Sequence, residues 1–140
     1  MTITVGELMT TEPVRKPSDT PLIEVARAMR DNKIGDVLVT DGDRVAGVVT
    51  DRDIVVRAVA EGRDPATTTV GEVASPGMIS ITQDASASEA VEMMRQEAVR
   101  RLLVTDSAGA TAGVVSLGDL AAALGPNSAL GTISGAPPND

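Results

Sequence analysis

Apolar residues along the chain fall into helical stripes and short runs, and the whole pattern comes twice. Leu22, Val25, Ala26 and Met29 stand at i, i+3, i+4 and i+7, the spacing of one helix face. Ala87, Ala90, Val91 and Met94 repeat that face 65 positions later. Ser18 or Asp19 is the expected N-cap of the first helix, and Asp84 or Ser86 of the second. Each stripe is followed by two apolar runs, 37–39 with 45–49 and 102–104 with 112–115, which predict a strand pair. Asp41-Gly42-Asp43 supplies the first hairpin turn, and Ser107-Ala108-Gly109 the second. The runs are nearly unbroken, as in strands covered on both faces. A second helix closes each copy, over 51–60 and 117–124.

Letter by letter the repeat is close. TVGEL at 4–8 returns as TVGEV at 69–73, and IGDVLVTD at 34–41 as VRRLLVTD at 99–106. GVVT at 47–50 returns as GVVS at 113–116, one residue later than the earlier matches, so an insertion lies near Gly109. Two long copies are not a solenoid, which stacks three or more short units. They predict two similar lobes about a pseudo-twofold axis, with paired clefts. Short opening elements at 5–9 and 70–74, and extended segments at 13–14 and 78–81, complete a β-α-β-β-α order in each copy. The expected domains are 1–65 and 66–125, joined by the polar stretch 61–68, followed by a mobile tail at 126–140 rich in Gly, Pro, Ser and Asn.

Composition narrows the function. A chain of 140 residues buries roughly two-thirds of its unfolded surface, here with aliphatic side chains alone because Phe, Trp and Tyr are absent. Having no Cys and no His removes thiol nucleophiles, the commonest general base and the usual transition-metal ligands. Without aromatic stacking platforms, and with a net charge of −8, no nucleic-acid partner is expected. There is no long apolar span and no signal-like N-terminus, so the expected location is cytoplasmic, away from membranes. Asp41-Gly42-Asp43 opens like a calcium loop but lacks the rest of that pattern, and no metal site is expected.

The strongest local feature ends each hairpin: Gly47-Val-Val-Thr50-Asp-Arg-Asp53 and Gly113-Val-Val-Ser116-Leu-Gly-Asp119. A strand runs into a helix through a hydroxyl residue, with a carboxylate three positions later. As structure, this is close to a capping box. As a site, it offers helix amides and a hydroxyl for a phosphate, and a carboxylate for ribose hydroxyls.

With these elements the chain resembles a CBS-domain pair (cystathionine β-synthase-type repeats, a Bateman module) over about residues 4–124. The resemblance rests on the doubled order, on VLVTD ending at Asp41 and LLVTD ending at Asp106, and on Gly-x-x-Thr/Ser-x-x-Asp in each half. The stretch 47–65 looks especially like small stand-alone actinobacterial CBS-pair proteins, including the hypoxic-response type. The resemblance implies an α+β fold of tandem CBS repeats. It also implies clefts that bind adenine nucleotides or adenosyl compounds: AMP, ADP, ATP or S-adenosylmethionine, with no required cofactor. Carried onto this chain, Thr50 and Ser116 contact phosphate or ribose, and Asp53 and Asp119 hold ribose hydroxyls. The adenine lies near 11–14 and 77–79, with Pro13, Val14, Met78 and Ile79. It also lies near 34–37 and 99–102, with Asp36, Val37, Arg101 and Leu102. The family's usual proline in the following strand is replaced by Leu38 and Leu103.

The copies differ where charge matters. Arg52 lies between Thr50 and Asp53, a phosphate clamp or an exposed helix-start arginine, and its counterpart is Gly118. Arg100-Arg101 stand where the first copy has Gly35-Asp36; Arg101 is placed to reach a phosphate or to pair with a carboxylate. These differences predict unequal sites, with ligand favouring Thr50, Arg52 and Asp53. The resemblance implies a homodimer formed through helices, with Ile23 and Met93 as further contacts. The function expected is non-catalytic sensing, passed to an unidentified protein partner in trans. The alternative is a structural or stress-response module with empty sites. No base and nucleophile pair supports an enzyme.

Overall fold

The computed structural model describes residues 2–124; the tail expected at 126–140 lies outside them. In chain order the elements are α1 (Val5–Leu8), β1 (Thr10–Thr11), β2 (Arg15–Pro17), α2 (Leu22–Asn32), β3 (Asp36–Asp41), β4 (Arg44–Thr50) and α3 (Asp51–Ile54). They continue as β5 (Ser75–Pro76), β6 (Ser80–Thr82), α4 (Ala87–Glu97), β7 (Arg101–Thr105), β8 (Thr111–Ser116) and α5 (Leu117–Leu124). A π-wound stretch, Val55–Val59, extends α3, and a 3-10 turn, Val70–Glu72, precedes β5. Among the described residues no helix is long and apolar enough to cross a membrane.

These elements form two compact units. One is continuous, Pro13–Met78; the other is split, combining, among the described residues, 2–12 with 79–124. The continuous unit holds a sheet in the order β2-β3-β4-β5, with β2 parallel to β3 and the other pairs antiparallel. Leu22, Val25 and Met29 of α2 meet Val37, Val39 and Val49 of the strands in its core, as the helical stripe predicts. The split unit has the matching sheet, β1-β8-β7-β6. There Ala87, Ala90 and Met94 of α4 pack with Leu102, Val104 and Val115. Burial on both faces holds for β3, where Val37, Leu38 and Val39 are all buried, but β7 alternates.

The packing cuts the chain elsewhere than the 65/66 boundary between repeats, because each opening segment joins the other copy's unit. Val5 donates its N–H to Ala85 O at 2.8 Å and Gly6 to Gln83 O at 2.9 Å, and Val5 is buried beside Leu102 and Leu120. Sixty-five positions later, Val70 donates to Thr20 O and Gly71 to Ser18 O, both at 2.9 Å, and Val70 and Val73 enter the core of α2. Thr4 and Thr69 form isolated bridges with Ser86 and Pro21 respectively. The opening segments themselves are held by Thr-x-x-Glu capping boxes, Thr4 with Glu7 and Thr69 with Glu72. The Thr69 backbone N–H, its hydroxyl and Arg63 together hold the Glu72 carboxyl below its ordinary value.

The helix caps depart from expectation on one side. Ser86 caps α4, accepting from Glu89 N at 3.1 Å. The N-cap position of α2, however, is Pro21, and Ser18 Oγ donates instead to Asp41 Oδ1 at 2.7 Å. The first amides of α2 are satisfied by the 61–68 connection: Leu22 N–H reaches Thr68 O and Ile23 N–H reaches Pro65 O. This connection therefore belongs to the continuous unit and closes a helix end that would otherwise carry orphan donors.

Candidate ligand site

Each unit builds the same junction at one end of its central strand pair. In the continuous unit β3 and β4 pair so that Asp36 opposes Thr50 and Val37 opposes Val49. Asp51 N–H then donates to Gly35 O at 3.0 Å, and Leu38 N–H to Val14 O at 2.9 Å. In the split unit Arg101 opposes Ser116 and Leu102 opposes Val115. Leu117 N–H donates to Arg100 O and Leu103 N–H to Ile79 O, both at 2.9 Å. The correspondences predicted from the sequence, 14 with 79, 36 with 101 and 50 with 116, are thus physical ones.

The hydroxyl and carboxylate of each motif close on one another as a capping box. Thr50 Oγ1 accepts from Asp53 N at 3.0 Å while Thr50 N donates to Asp53 Oδ2 at 2.9 Å. Ser116 Oγ accepts from Asp119 N at 3.1 Å, and Ser116 N donates to Asp119 Oδ2 at 2.9 Å. The structural role is therefore real in both copies. It leaves the Thr50 and Ser116 hydroxyl protons available to donate, and the Oδ1 atoms of Asp53 and Asp119 outside the boxes. All four side chains are half-buried rather than sealed. A ligand with vicinal hydroxyls and an anionic group matches that inventory.

Two expected contacts need correction. Val37 and Leu102 are 1% and 0% exposed and face their units' apolar cores, so their side chains cannot line a ligand surface. Strand alternation explains it: Asp36 and Arg101 share the face of Thr50 and Ser116, and the next residue turns inward. Pro13, Val14 and Met78 are half-buried, with Val14 packed on the core, whereas Ile79 is exposed. Arg52 is exposed; its backbone N–H donates to Asp51 Oδ1 at 2.8 Å.

The structure adds a residue that the sequence reading missed. Arg57 Nε lies 3.9 Å from Asp53 Oδ1, and its Nη1 donates to Val73 O at 3.2 Å. The π-winding places it there. Ala60 and Arg63 donate to carbonyls five residues back, Val55 and Ala58, and Ala58 turns into the core. β-branched residues at 54, 55, 56 and 59 weaken regular helix along this stretch. Ala123 holds the equivalent position after Asp119, so the split unit has no such arginine. The spacing Asp53 to Arg57, i to i+4, was the available signal.

Hollows elsewhere do not compete with these junctions. One of about 280 Å³ lies by Ser18, Asp41 and Arg44, at the hairpin end of β3 and β4. Another of about 350 Å³ lies along β6 and α4, by Ser80, Glu89 and Met93. Gly47 lines the first of them, but neither includes Thr50, Asp53, Ser116 or Asp119.

Two sheet-and-helix units, each ending a strand in hydroxyl-x-x-Asp, define a tandem-repeat module, and the family model for the CBS domain matches residues 5–59 and 70–126. The chain belongs to the CBS-domain family. It is 38% identical over 101 residues to hypoxic response protein 1 of Mycobacterium tuberculosis, covering 71% of this chain and 70% of that one. The crystal structure of Hypoxic Response Protein I with two coordinated zinc ions superposes with a TM-score of 0.72 at 32% identity, covering 85% of this chain and 97% of that one. A CBS-domain protein from Pyrobaculum aerophilum, solved in complex with AMP, matches with a TM-score of 0.72 at 30% identity, over 84% of this chain and 89% of the other. The chain spans 61% of the length of one curated relative and 82% and 70% of two others.

Proposed function

We propose that the protein is a non-catalytic sensor of adenine nucleotides or adenosyl ligands, drawn from AMP, ADP, ATP and S-adenosylmethionine, whose occupancy is passed to a protein partner in trans. The observation that carries this reading is the hydroxyl–carboxylate junction, built twice with matching hydrogen bonds at Thr50/Asp53 and Ser116/Asp119. A family relative complexed with AMP supports the adenine class. The vicinal hydroxyls of a ribose are suited to a fixed carboxylate oxygen, and the aspartates are fixed by their own capping boxes. A ligand of this kind can act only through its different affinity for two arrangements of the protein. Zinc, which a relative holds, is not carried over: the chain has neither His nor Cys to offer it.

Isothermal titration with the four ligands tests this directly, since there is no Trp or Tyr to report by fluorescence. Asp53→Asn and Asp119→Asn keep an acceptor for the cap but remove the charge, so folding is retained. Each is expected to weaken binding about tenfold, the loss typical of a charge-assisted hydrogen bond. If none of the four ligands binds, or both variants bind like the parent, the sensor reading is wrong and an interaction module with empty sites replaces it.

The same reading includes a homodimer, with contacts placed differently from the sequence expectation. Met93 packs against its own unit's core and Ile23 is half-buried. Among the described residues the most exposed large apolar side chains are on the π-wound stretch, where Val55, Val56 and Val59 are 57%, 45% and 66% exposed. Light scattering should give twice the chain mass for the parent and the single mass for a Val56→Glu, Val59→Glu variant. A monomeric parent would remove the dimer from the proposal.

A further inference from the structure

The outer strands β2 and β6 occupy the same place in the repeat but end their sheets differently. Each pairs parallel with the strand after its helix and stands last in its sheet, with its other side open. β2 reads Arg15-Lys16-Pro17, whereas β6 reads Ser80-Ile81-Thr82. Charged side chains and a proline are usual means of closing a sheet edge to further pairing, and the proline also withholds an N–H. β6 has neither.

The polar groups left on that edge can be located. Leu103 N–H donates to Ile79 O and Gln83 N–H to Thr105 O, both at 2.9 Å. Residues 79, 81 and 83 therefore turn their backbone groups toward β7, and residues 80 and 82 turn theirs away. The Thr82 carbonyl is taken by Ala85 N–H at 3.1 Å. The Ser80 N–H and C=O and the Thr82 N–H remain on an exposed edge, with no backbone partner among the described residues. In β2 the place of Thr82 is held by Pro17, which has no N–H to offer.

Beside this edge lies the hollow of about 350 Å³ between β6 and α4. A strand added to β6 would lie along it, and a residue set opposite Ile81 would share the face of Ile81. Ala85 and Met93 offer apolar contact there, and Glu89 stands four residues before Met93 on the same side of α4. Its carboxylate accepts from Ser86 N at 3.4 Å. Neither Glu89 nor Asp84, in the turn after Thr82, has an ion-pair partner among the described residues.

Charge selects the occupant. Carboxylates without cations complement a segment that carries Lys or Arg. A second copy paired by the same edge would set Asp84 and Glu89 of each chain toward those of the other, and its segment 78–84 contains no Lys or Arg. Residues 125–140 contain none either. We propose that β6 is a docking edge for an extended segment of another protein. That segment adds a strand beside Ser80–Thr82 and turns an aliphatic side chain toward Met93 and a Lys or Arg toward Glu89. In strand addition the main chain supplies affinity and alternate side chains supply specificity. This gives a chemistry to the partner in trans, and rests on the proposed function only for that partner's existence.

The probe is a short labelled peptide repeating valine-threonine-lysine-threonine, titrated with the full chain by fluorescence polarisation. The same peptide with glutamate in place of lysine is expected to bind about tenfold more weakly, by like-charge repulsion. Thr82→Pro gives β6 the proline that β2 already carries. It should keep the parent's melting temperature and lower lysine-peptide affinity about tenfold. Because it changes no charge, it separates pairing at the edge from the general attraction of a basic peptide to a chain of net charge −8. Glu89→Gln retains the capping box and lowers the same affinity about threefold, as for an exposed ion pair. Glu24→Gln, its counterpart on α2, is the control and binds like the parent. If the two peptides bind alike, or if Thr82→Pro or Glu89→Gln binds like the parent, the inference is overturned. A parent dimer that Thr82→Pro splits into monomers makes a second copy the occupant and also overturns it. Nucleotide titration of the same samples is read separately: nucleotide bound without peptide removes the docking edge and keeps the sensor, and peptide bound without nucleotide does the reverse.

Discussion

Gly113→Ala is expected to destabilise the protein by about 3 kcal/mol, the upper end of overpacking penalties, although it adds a single methyl group. β1 crosses β8 at this glycine, where Thr11 pairs with Gly113. A Cβ there would run into the Thr10 carbonyl oxygen and lie 2.9 Å from the Met9 sulfur. Met9 is flexible and can move; the Thr10 carbonyl belongs to the paired strand and cannot do so without opening the sheet edge. Gly47 stands in the same relation to Ser75 and Pro76 in the continuous unit, so Gly47→Ala carries a similar cost. Gly42→Ala is the contrast. Its φ is +61° but nothing lies within 4 Å, so only the left-handed backbone penalty remains, about 1 kcal/mol. Thermal melts followed by far-UV circular dichroism should place Gly113→Ala on the order of 10 °C below the parent. A melt within about 2 °C of the parent would mean that β1 does not cross there.

Leu22→Ala is expected to cost at least as much, by the opposite route. Leu22 is fully buried at the start of α2, against Val37, Val49, Val70 and Val73. Its amide is held by the Thr68 carbonyl, so the helix start cannot slide inward to fill the space. Buried leucines truncated to alanine in such settings lose about 3–5 kcal/mol, more where the cavity persists. The core holds Val, Leu, Ala and Met but no aromatic residue, so no neighbouring ring can swing over the gap. Ile23→Ala, one position along and half-buried, should lose well under half as much. Equal losses at 22 and 23 would show that the face of α2 is assigned wrongly.

How much could be read without coordinates follows from which interactions are local. The faces of α2 and α4 were legible because helical periodicity at 22, 25 and 29 is set by the core each helix covers. Capping at Thr50 and Ser116 was legible because it spans three residues. The opening segments were not. Val5 and Val70 repeat so well that each looks like the start of its own copy, and nothing in a repeat says which copy a segment will pack against. The Thr4–Glu7 and Thr69–Glu72 boxes are written in the sequence as Thr-x-x-Glu, but no long periodic helix follows either one to mark it as a helix start. Val37 and Leu102 were placed at the ligand because their neighbours belong there; the period of two along a strand puts adjacent residues on opposite faces. Gly47 and Gly113 entered as members of a binding motif, and their own positions answer to a crossing strand.

That crossing has a genealogical consequence. A polypeptide carrying one copy alone would lack the segment that fills its own core, because that segment is supplied from the other copy. Such a half-length ancestor could complete itself only by lending its first dozen residues to a second molecule and borrowing theirs. Gene fusion would then have converted an exchange between molecules into an exchange within one, and freed each copy to change separately. Arginine at 101 where the first copy keeps aspartate at 36 is the kind of divergence that this freedom permits.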